Sequence, residues 1–498
     1  MKWSLYILAN RKFWETHPAL YLGLHMLLGS ALAKGIYTPI LYVLLALWLP
    51  FFQKGILQIG KGILFFSLAF LYSFYSFSSP VLKNGEEKGI AHFSIHSLTT
   101  YQSPFKQKGY LYKGIIKHFE GYENIACSIM LSGKERPLAN ADYQIEGTLT
   151  MKKKGFYQFK PLKGGIFCKI PSTFSLAELR FQAKEKVRLY LKKYIRNRKA
   201  LSYLSSLATG DIDERELQFE FRHLGLSHIL AISGFHFGLL TLFCSFFLRF
   251  FFSPKKTALF LLILTTSYFF FMGNAPSVQR AWIAISIALL AQFFNLNYQS
   301  LNALGVALMV AIALNPEVIS HLGFQLSFLA TLAILLLYPF CEKALEFLLP
   351  KRHLSEALKL SFFDKHGFIL ASFLRKALAL NIAVHLVALP SLLVLFHKFP
   401  PFSFVYNLFF PLGVTISFFL LFLASILTFC IPPLGEILHQ INNSFSSALL
   451  HLSSNPPSCT DFFIYSKTFS LDILFAFFAL LLLIGIFFKE QSKKYGAS

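Results

Sequence analysis

The sequence predicts a polytopic α-helical membrane protein with about 10–12 transmembrane or re-entrant helices and one small extracytoplasmic β-barrel domain of OB type. Three observations lead there. Apolar residues fill 55% of the 498 positions and charged residues 14%, where a soluble domain carries about 25% charged. The apolar residues fall in blocks of membrane-spanning length, and the basic charge gathers in a single hydrophilic segment.

Three blocks open the chain, near 17–33, 36–52 and 62–77. None has the small-residue cleavage site of a signal peptide, so all are expected to be retained. Further blocks lie at 239–252, 259–272, 323–340, 411–431 and 471–488. Between the two groups stands the hydrophilic segment, roughly 80–200. Lys and Arg outnumber Asp and Glu by 47 to 24 in the chain, and positions 83–199 hold 23 basic against 9 acidic residues. That segment reads as short strands at 113–118, 124–131, 142–151, 155–159 and 165–170, punctuated by Gly, Asn and Pro. Five or six such strands suggest a small barrel of OB type over 80–172. A basic amphipathic helix is expected over 173–200, with Leu176, Leu179, Ala183, Val187, Tyr190 and Tyr194 on one face. Its other positions carry Arg180, Lys184, Lys186, Arg188, Lys192, Lys193 and Arg196, a pattern suited to an anionic membrane surface. Residues 1–79 and 201–488 are then the two membrane regions, and 489–498 a tail.

Charges beside the blocks set the expected orientation. Lys2, Arg11 and Lys12 precede the first block, and Lys54 and Lys61 separate the second from the third, which favours a cytoplasmic N-terminus. Three crossings place 80–200 outside, and Lys255, Lys256, Lys343, Lys351 and Arg352 then fall inside. Past residue 390 the count runs two ways: 392–410 taken as a span or as a re-entrant segment reverses the side of the C-terminus.

The six cysteines show no metal-ligand spacing. Cys244, Cys341 and Cys430 read as small buried residues. Cys127 and Cys168 both lie on strands of the domain expected outside, where disulfides persist. They form a candidate disulfide, with two buried thiols as the alternative. His92 and His96 are four apart on a non-helical stretch and are not read as ligands. No metal and no cofactor are expected.

The stretch from Gly210 carries the most information. Asp213 and Glu216 have capping-box spacing, and Gly225 with Ser227 marks a helix stop and restart. His228 and His236, eight apart, would share one side of a helix, about 80° apart, with Ser233 and Gly234 between them as a break point. Ionisable residues at membrane depth are functional candidates by default; helix-to-helix hydrogen bonding is the plainer alternative.

The run Leu224 to Gly238, containing His-Ile-Leu-Ala-Ile-Ser-Gly-Phe-His-Phe-Gly, resembles the signature of the ComEC family of competence proteins. Four more stretches resemble that family in the same order. They are Leu207 to Asp211, Gly273 to Ala281 with its Pro-Ser-x-x-Arg-Ala, Asn315-Pro316 with Gly323 to Phe328, and Leu389-Pro390 with Tyr406 to Pro411. The resemblance covers about 205–422 and implies an inner-membrane channel for single-stranded transforming DNA. It makes Arg222, His228, Ser233, His236, Arg280, Gln325, Ser327 and Asn407 candidates for the DNA path. In the basic domain, Lys152, Lys153, Lys154 and Tyr157 are candidates for gathering DNA through charge and stacking. The implied partners are single-stranded DNA, membrane lipids, a DNA receptor outside and a helicase-like ATPase inside. A homo-oligomer is left open.

Two departures stand out. The metallo-β-lactamase-like nuclease domain of many family members has no counterpart motif here, so a form lacking it is expected. Asn315 stands where the family usually has Asp. An enzyme reading, Ser233 with His228 or His236 as a hydrolase or transferase, lacks a carboxylate to orient the base, since no Asp or Glu occurs between Phe221 and Asn315. A secondary transporter of small anions using Arg280 is the other alternative.

Overall fold

The computed structural model describes residues 10–36, 38–51, 55–77, 86–102, 108–132, 136–153, 156–171, 173–212, 214–230, 234–273, 275–351, 361–460, 462–466 and 470–495. Seven described helices are long and apolar enough to cross a bilayer, and four shorter apolar helices accompany them. The chain is a multi-pass membrane protein carrying one strand domain.

The first membrane group is α1 (Pro18–Ala33), α2 (Thr38–Trp48) and α3 (Ile56–Phe77). The strand domain follows: β1 (Glu86–Gln102), β2 (Lys108–Phe119), β3 (Tyr122–Ser132), β4 (Tyr143–Lys153), β5 (Phe156–Pro161) and β6 (Phe167–Lys169). Hydrogen bonding runs β1-β2-β3-β5-β4, and β1 pairs again with β4, so five strands close into a ring. The β3–β5 pairing is parallel and the other ring pairings antiparallel, which is OB-like connectivity. β1 is the strand that the turn signals leave out. At 17 residues it is long enough to pair along both neighbours and so closes the ring. Inward positions alternate along it, with Ala91, Phe93 and Ile95 buried.

Next come α4 (Ala177–Tyr194), α5 (Arg198–Thr209), α6 (Arg215–His223), α7 (Ser227–Leu230), α8 (Gly234–Leu248), α9 (Pro254–Met272), α10 (Pro276–Phe294) and α11 (Ser300–Leu314). The remainder is α12 (Leu322–Leu345), α13 (Phe362–Phe396), β7 (Lys398–Phe399), α14 (Ser403–Cys430), α15 (Pro432–Ser454), β8 (Ile464–Tyr465) and α16 (Leu471–Tyr495). The segment 392–410 is neither a span nor a re-entrant element. It holds the end of α13, the β7 turn and the start of α14, two helices each long enough to cross.

α4 corrects the sequence reading. Its buried residues are Ala177, Glu178, Phe181, Lys184 and Leu191, while Leu176 and Leu179 of the expected apolar face are exposed. Ala177 and Phe181 plug the ring core, and that fixes the rotation of the helix. Arg136 forks onto Glu178 with two bonds of 2.8 Å and lies over the Phe181 ring at 4.5 Å. Several of the helix's cations are consequently tertiary contacts rather than charges facing lipid. Arg180 donates to the Phe270 carbonyl at 2.8 Å and to that of His96 at 3.2 Å. Lys184 donates to Asp211 at 2.9 Å and to the Met272 carbonyl at 3.2 Å, and Arg188 reaches the other Asp211 oxygen at 3.0 Å. α4 is a strut between the ring, the C-terminal end of α9 and the Leu-x-x-Gly-Asp stretch.

In the bundle, small residues bring backbones together, as membrane packing requires. A Cβ on Gly305 of α11 would overlap the backbone at Ala19 and Leu20 of α1, and the Asn302 side chain accepts from the Ala19 N–H at 3.2 Å. α15 is too polar to count among the spans. Asn442 on α15 donates to the Ser417 carbonyl of α14 at 3.0 Å, and His439 meets the Tyr190 hydroxyl of α4 at 2.9 Å.

Candidate functional site

The site forms where chain breaks meet. α6 ends in a Schellman motif: the Leu226 N–H reaches the Phe221 carbonyl at 2.7 Å and the Gly225 N–H reaches that of Arg222 at 3.1 Å. Gly225 takes φ +74 there, with Ser403 and Pro400 against it. This left-handed glycine lets the chain reverse and brings the start of α14 onto the motif. Asp213, half of the expected capping box, lies outside the described residues, and the Glu214 side chain makes no cap hydrogen bond.

His228 stands on α7 and His236 on α8, and residues 231–233 between these elements lie outside the described residues. The His228 side chain is exposed. It lies within electrostatic range of His385 on α13, whose Nδ1 is 2.9 Å from the Asn381 carbonyl. His236 is fully buried, its ring 5.9 Å from that of Phe418 on α14. Ser233 lies outside the described residues.

Arg280 is the centre of the arrangement. Its Nε donates to Ser327 Oγ at 2.9 Å and its Nη1 to Thr331 Oγ1 at 2.8 Å, both on α12, and its guanidinium lies 5.8 Å from the Phe328 ring centroid. A Cβ placed on Gly234, the first residue of α8, would stand 3.3 Å from Nη2. Arg280 therefore brings the α8 start, the Pro-Ser-x-x-Arg-Ala stretch and the Gly-Phe-Gln-Leu-Ser-Phe stretch together. Among the described residues no carboxylate neutralises it. A half-buried cation held by hydroxyls rather than by a carboxylate suits an anion.

Other expected residues stand elsewhere. Gln325 donates to the Ile319 carbonyl at 2.8 Å and ties down the turn before α12. Asn315 caps that turn, its side chain accepting from the Glu317 N–H at 2.9 Å. A neutral amide caps as well as a carboxylate, which accounts for Asn at this position. The buried Asn407 Oδ1 has no hydrogen-bond partner among the described residues. Arg222 is exposed on α6.

On the ring, Lys152 is exposed. The Lys153 side chain and Lys154 lie outside the described residues. Tyr157 faces the ring core at 9% exposure, so it offers no stacking face. Burial, and next the Glu317 carboxylate, raise its phenol above the usual range. Its inward direction follows from pairing with the buried Cys127. The structure does not bring Cys127 and Cys168 together: Cys127 is buried on β3, Cys168 is exposed on β6, and both are free thiols. β5 and β4 stand between their strands.

Sequence reasoning passed over Thr331, His385 and the Asp211 ion cluster. Thr331 could have been found as the i+4 neighbour of Ser327 on a helix. The other two depend on packing between distant elements.

The model of the competence protein family matches residues 208–491, more than half of the chain. The chain belongs to that family. It is also similar to ComE operon protein 3 of Bacillus subtilis (strain 168), at 28% identity over 136 residues. That match covers 27% of this chain and 18% of the relative. No solved structure matches the chain. The competence-family match contains Gly225, His228, Gly234, Arg280, Ser327, Thr331 and Asn407, so the convergence at Arg280 is built entirely from family sequence.

Proposed function

We propose that this competence-family protein conducts single-stranded DNA across the inner membrane, through a path lined by Arg280, Ser327, His228 and His385, and that it does so without catalysing a reaction. The observation that carries this reading is the Arg280 guanidinium, held by two hydroxyls and left without a carboxylate among the described residues. A permanent counter-ion would hold a passing phosphate off; two hydroxyls hold the cation in place and leave its charge available.

The bundle supports the orientation expected from the charges. The α9 C-terminal end contacts α4 and hence the ring, while Lys255 and Lys256 begin α9 at the opposite end; Lys343 stands in the last turn of α12 and Lys351 follows it. The positive-inside rule assigns that opposite end to the cytoplasm. The ring is then outside, and its exposed Lys88, Lys113, Lys152, Lys160, Lys163 and Lys169 meet incoming phosphates first. Lys88 and Lys160 are both register partners of Thr148, so they flank it on one face. A helicase-like ATPase at the cytoplasmic end would supply the pull.

The test is uptake of labelled transforming DNA in a strain lacking the gene, complemented with wild type or Arg280→Glu. Wild type should restore uptake and Arg280→Glu should not, at equal membrane content. Equal rescue by both would remove Arg280 from the path.

A further inference from the structure

We propose that Phe219, His223, Phe463 and Tyr465 form a stacking platform for single-stranded DNA beside the Gly225 turn. The four rings make a continuous row. Phe219 stacks on His223 at 5.8 Å, His223 meets Phe463 edge-on at 5.0 Å, and Phe463 stands 6.4 Å from Tyr465. Their origins differ: α6 supplies the first two, and the two-stranded ribbon of β7 and β8, with the residue before β8, supplies the rest. The terminal members are open, with Phe219 67% and Tyr465 73% exposed.

Charge fits the same ligand. Lys398 Nζ stands 5.4 Å from the Phe463 centroid, and Arg222 is exposed beside His223 on α6. Among the described residues neither cation has an acidic partner. Alternating rings and cations along one line suit a polymer of stacked bases and phosphates. A lipid-interface belt is built from Trp and Tyr, whereas this row holds two Phe and an imidazole beside one Tyr. Position points the same way: His223 and Phe463 line a narrow cleft with Phe402, Ser403 and Tyr406. Ser403 packs on Gly225, at the break leading to His228. The row therefore adjoins the Gly225 turn that leads to His228.

This inference rests on the single-stranded DNA reading above. The experiment uses the full chain in phosphatidylcholine nanodiscs and fluorescein-labelled oligo(dT) of about 20 nucleotides, longer than the span of one stacking site. Phe219→Leu with Tyr465→Leu keeps the apolar bulk and removes two rings, and should weaken binding about tenfold or more. Arg222→Gln with Lys398→Gln should instead lower the slope of log affinity against log salt by about 1.4. In the wild type, a bromouracil-substituted oligonucleotide should photocross-link to Phe219 and Tyr465. Wild-type binding with an unchanged double-leucine variant and cross-links confined to the ring would overturn the platform and leave the channel reading intact. No binding by wild type at low salt would overturn both. A double-leucine variant that leaves the bilayer, with no cross-link at either ring in wild type, would make the row a lipid contact and overturn the platform.

Discussion

Replacing Arg280 by glutamine separates a path role from a packing role, because the two predict opposite effects on uptake and on stability. Two bonds to Ser327 and Thr331 hold the guanidinium, and Thr331 already donates to the Ser327 carbonyl at 2.8 Å, so its hydroxyl keeps a partner in the variant. With no carboxylate left uncompensated among the described residues, folding should lose little. The loss falls on a passing phosphate. A unit charge pair at about 4 Å is worth about 4 kcal/mol at an effective dielectric of about 20 and about 1 kcal/mol in water. At about 1.4 kcal/mol per decade, uptake should fall between about fivefold and about a thousandfold, with Arg280→Lys in between. The assay is the initial rate of labelled DNA entry, normalised to membrane-inserted protein, beside a thermal melt in detergent. Uptake within twofold of wild type, or a collapse of the melt, would refute the reasoning.

Asp211→Asn should cost about 3–5 kcal/mol, since it leaves the buried Lys184 without its carboxylate while Arg188 keeps only Glu185 of its two; faster proteolysis between ring and bundle is the readout. Acid should loosen the ring before the bundle. Burial alone would raise Asp142 and Glu178, but Lys117, Ser94 and His92 outweigh it for Asp142, and Arg136 with the Ala139 N–H outweighs it for Glu178, so both carboxyls titrate below their usual range. Depressed folded values give stability that is full above the ordinary carboxylate range and lost as pH falls through the folded values. Hydrogen exchange on β1 and α4 of the full chain should therefore rise below about pH 4 and stay flat above it. In the native, non-reduced protein a maleimide should label Cys168 but not Cys127, whose thiol burial pushes up to about 12; neither reacting before reduction would show a bridge. Gly305→Leu should reduce membrane accumulation, because the α1–α11 crossing has no room for a side chain.

By itself the sequence determined the membrane class, the ring domain and the neighbourhood of the site, each for a local reason. Spans follow from block length, strands from alternation and turn residues, and the break at Gly225 from a glycine that the left-handed cap requires. Motifs in order were enough to point at Arg280 and Ser327. Residues whose direction depends on a distant partner were not legible. Tyr157 turns inward because ring closure pairs β5 with both β3 and β4, and α4 shows a different face because Phe181 fills the ring and Asp211 draws in Lys184 and Arg188. Periodicity fixes which residues share a face. Which face is buried was decided by the tertiary structure, where a buried cation must meet its carboxylate and a closed ring must fill its core.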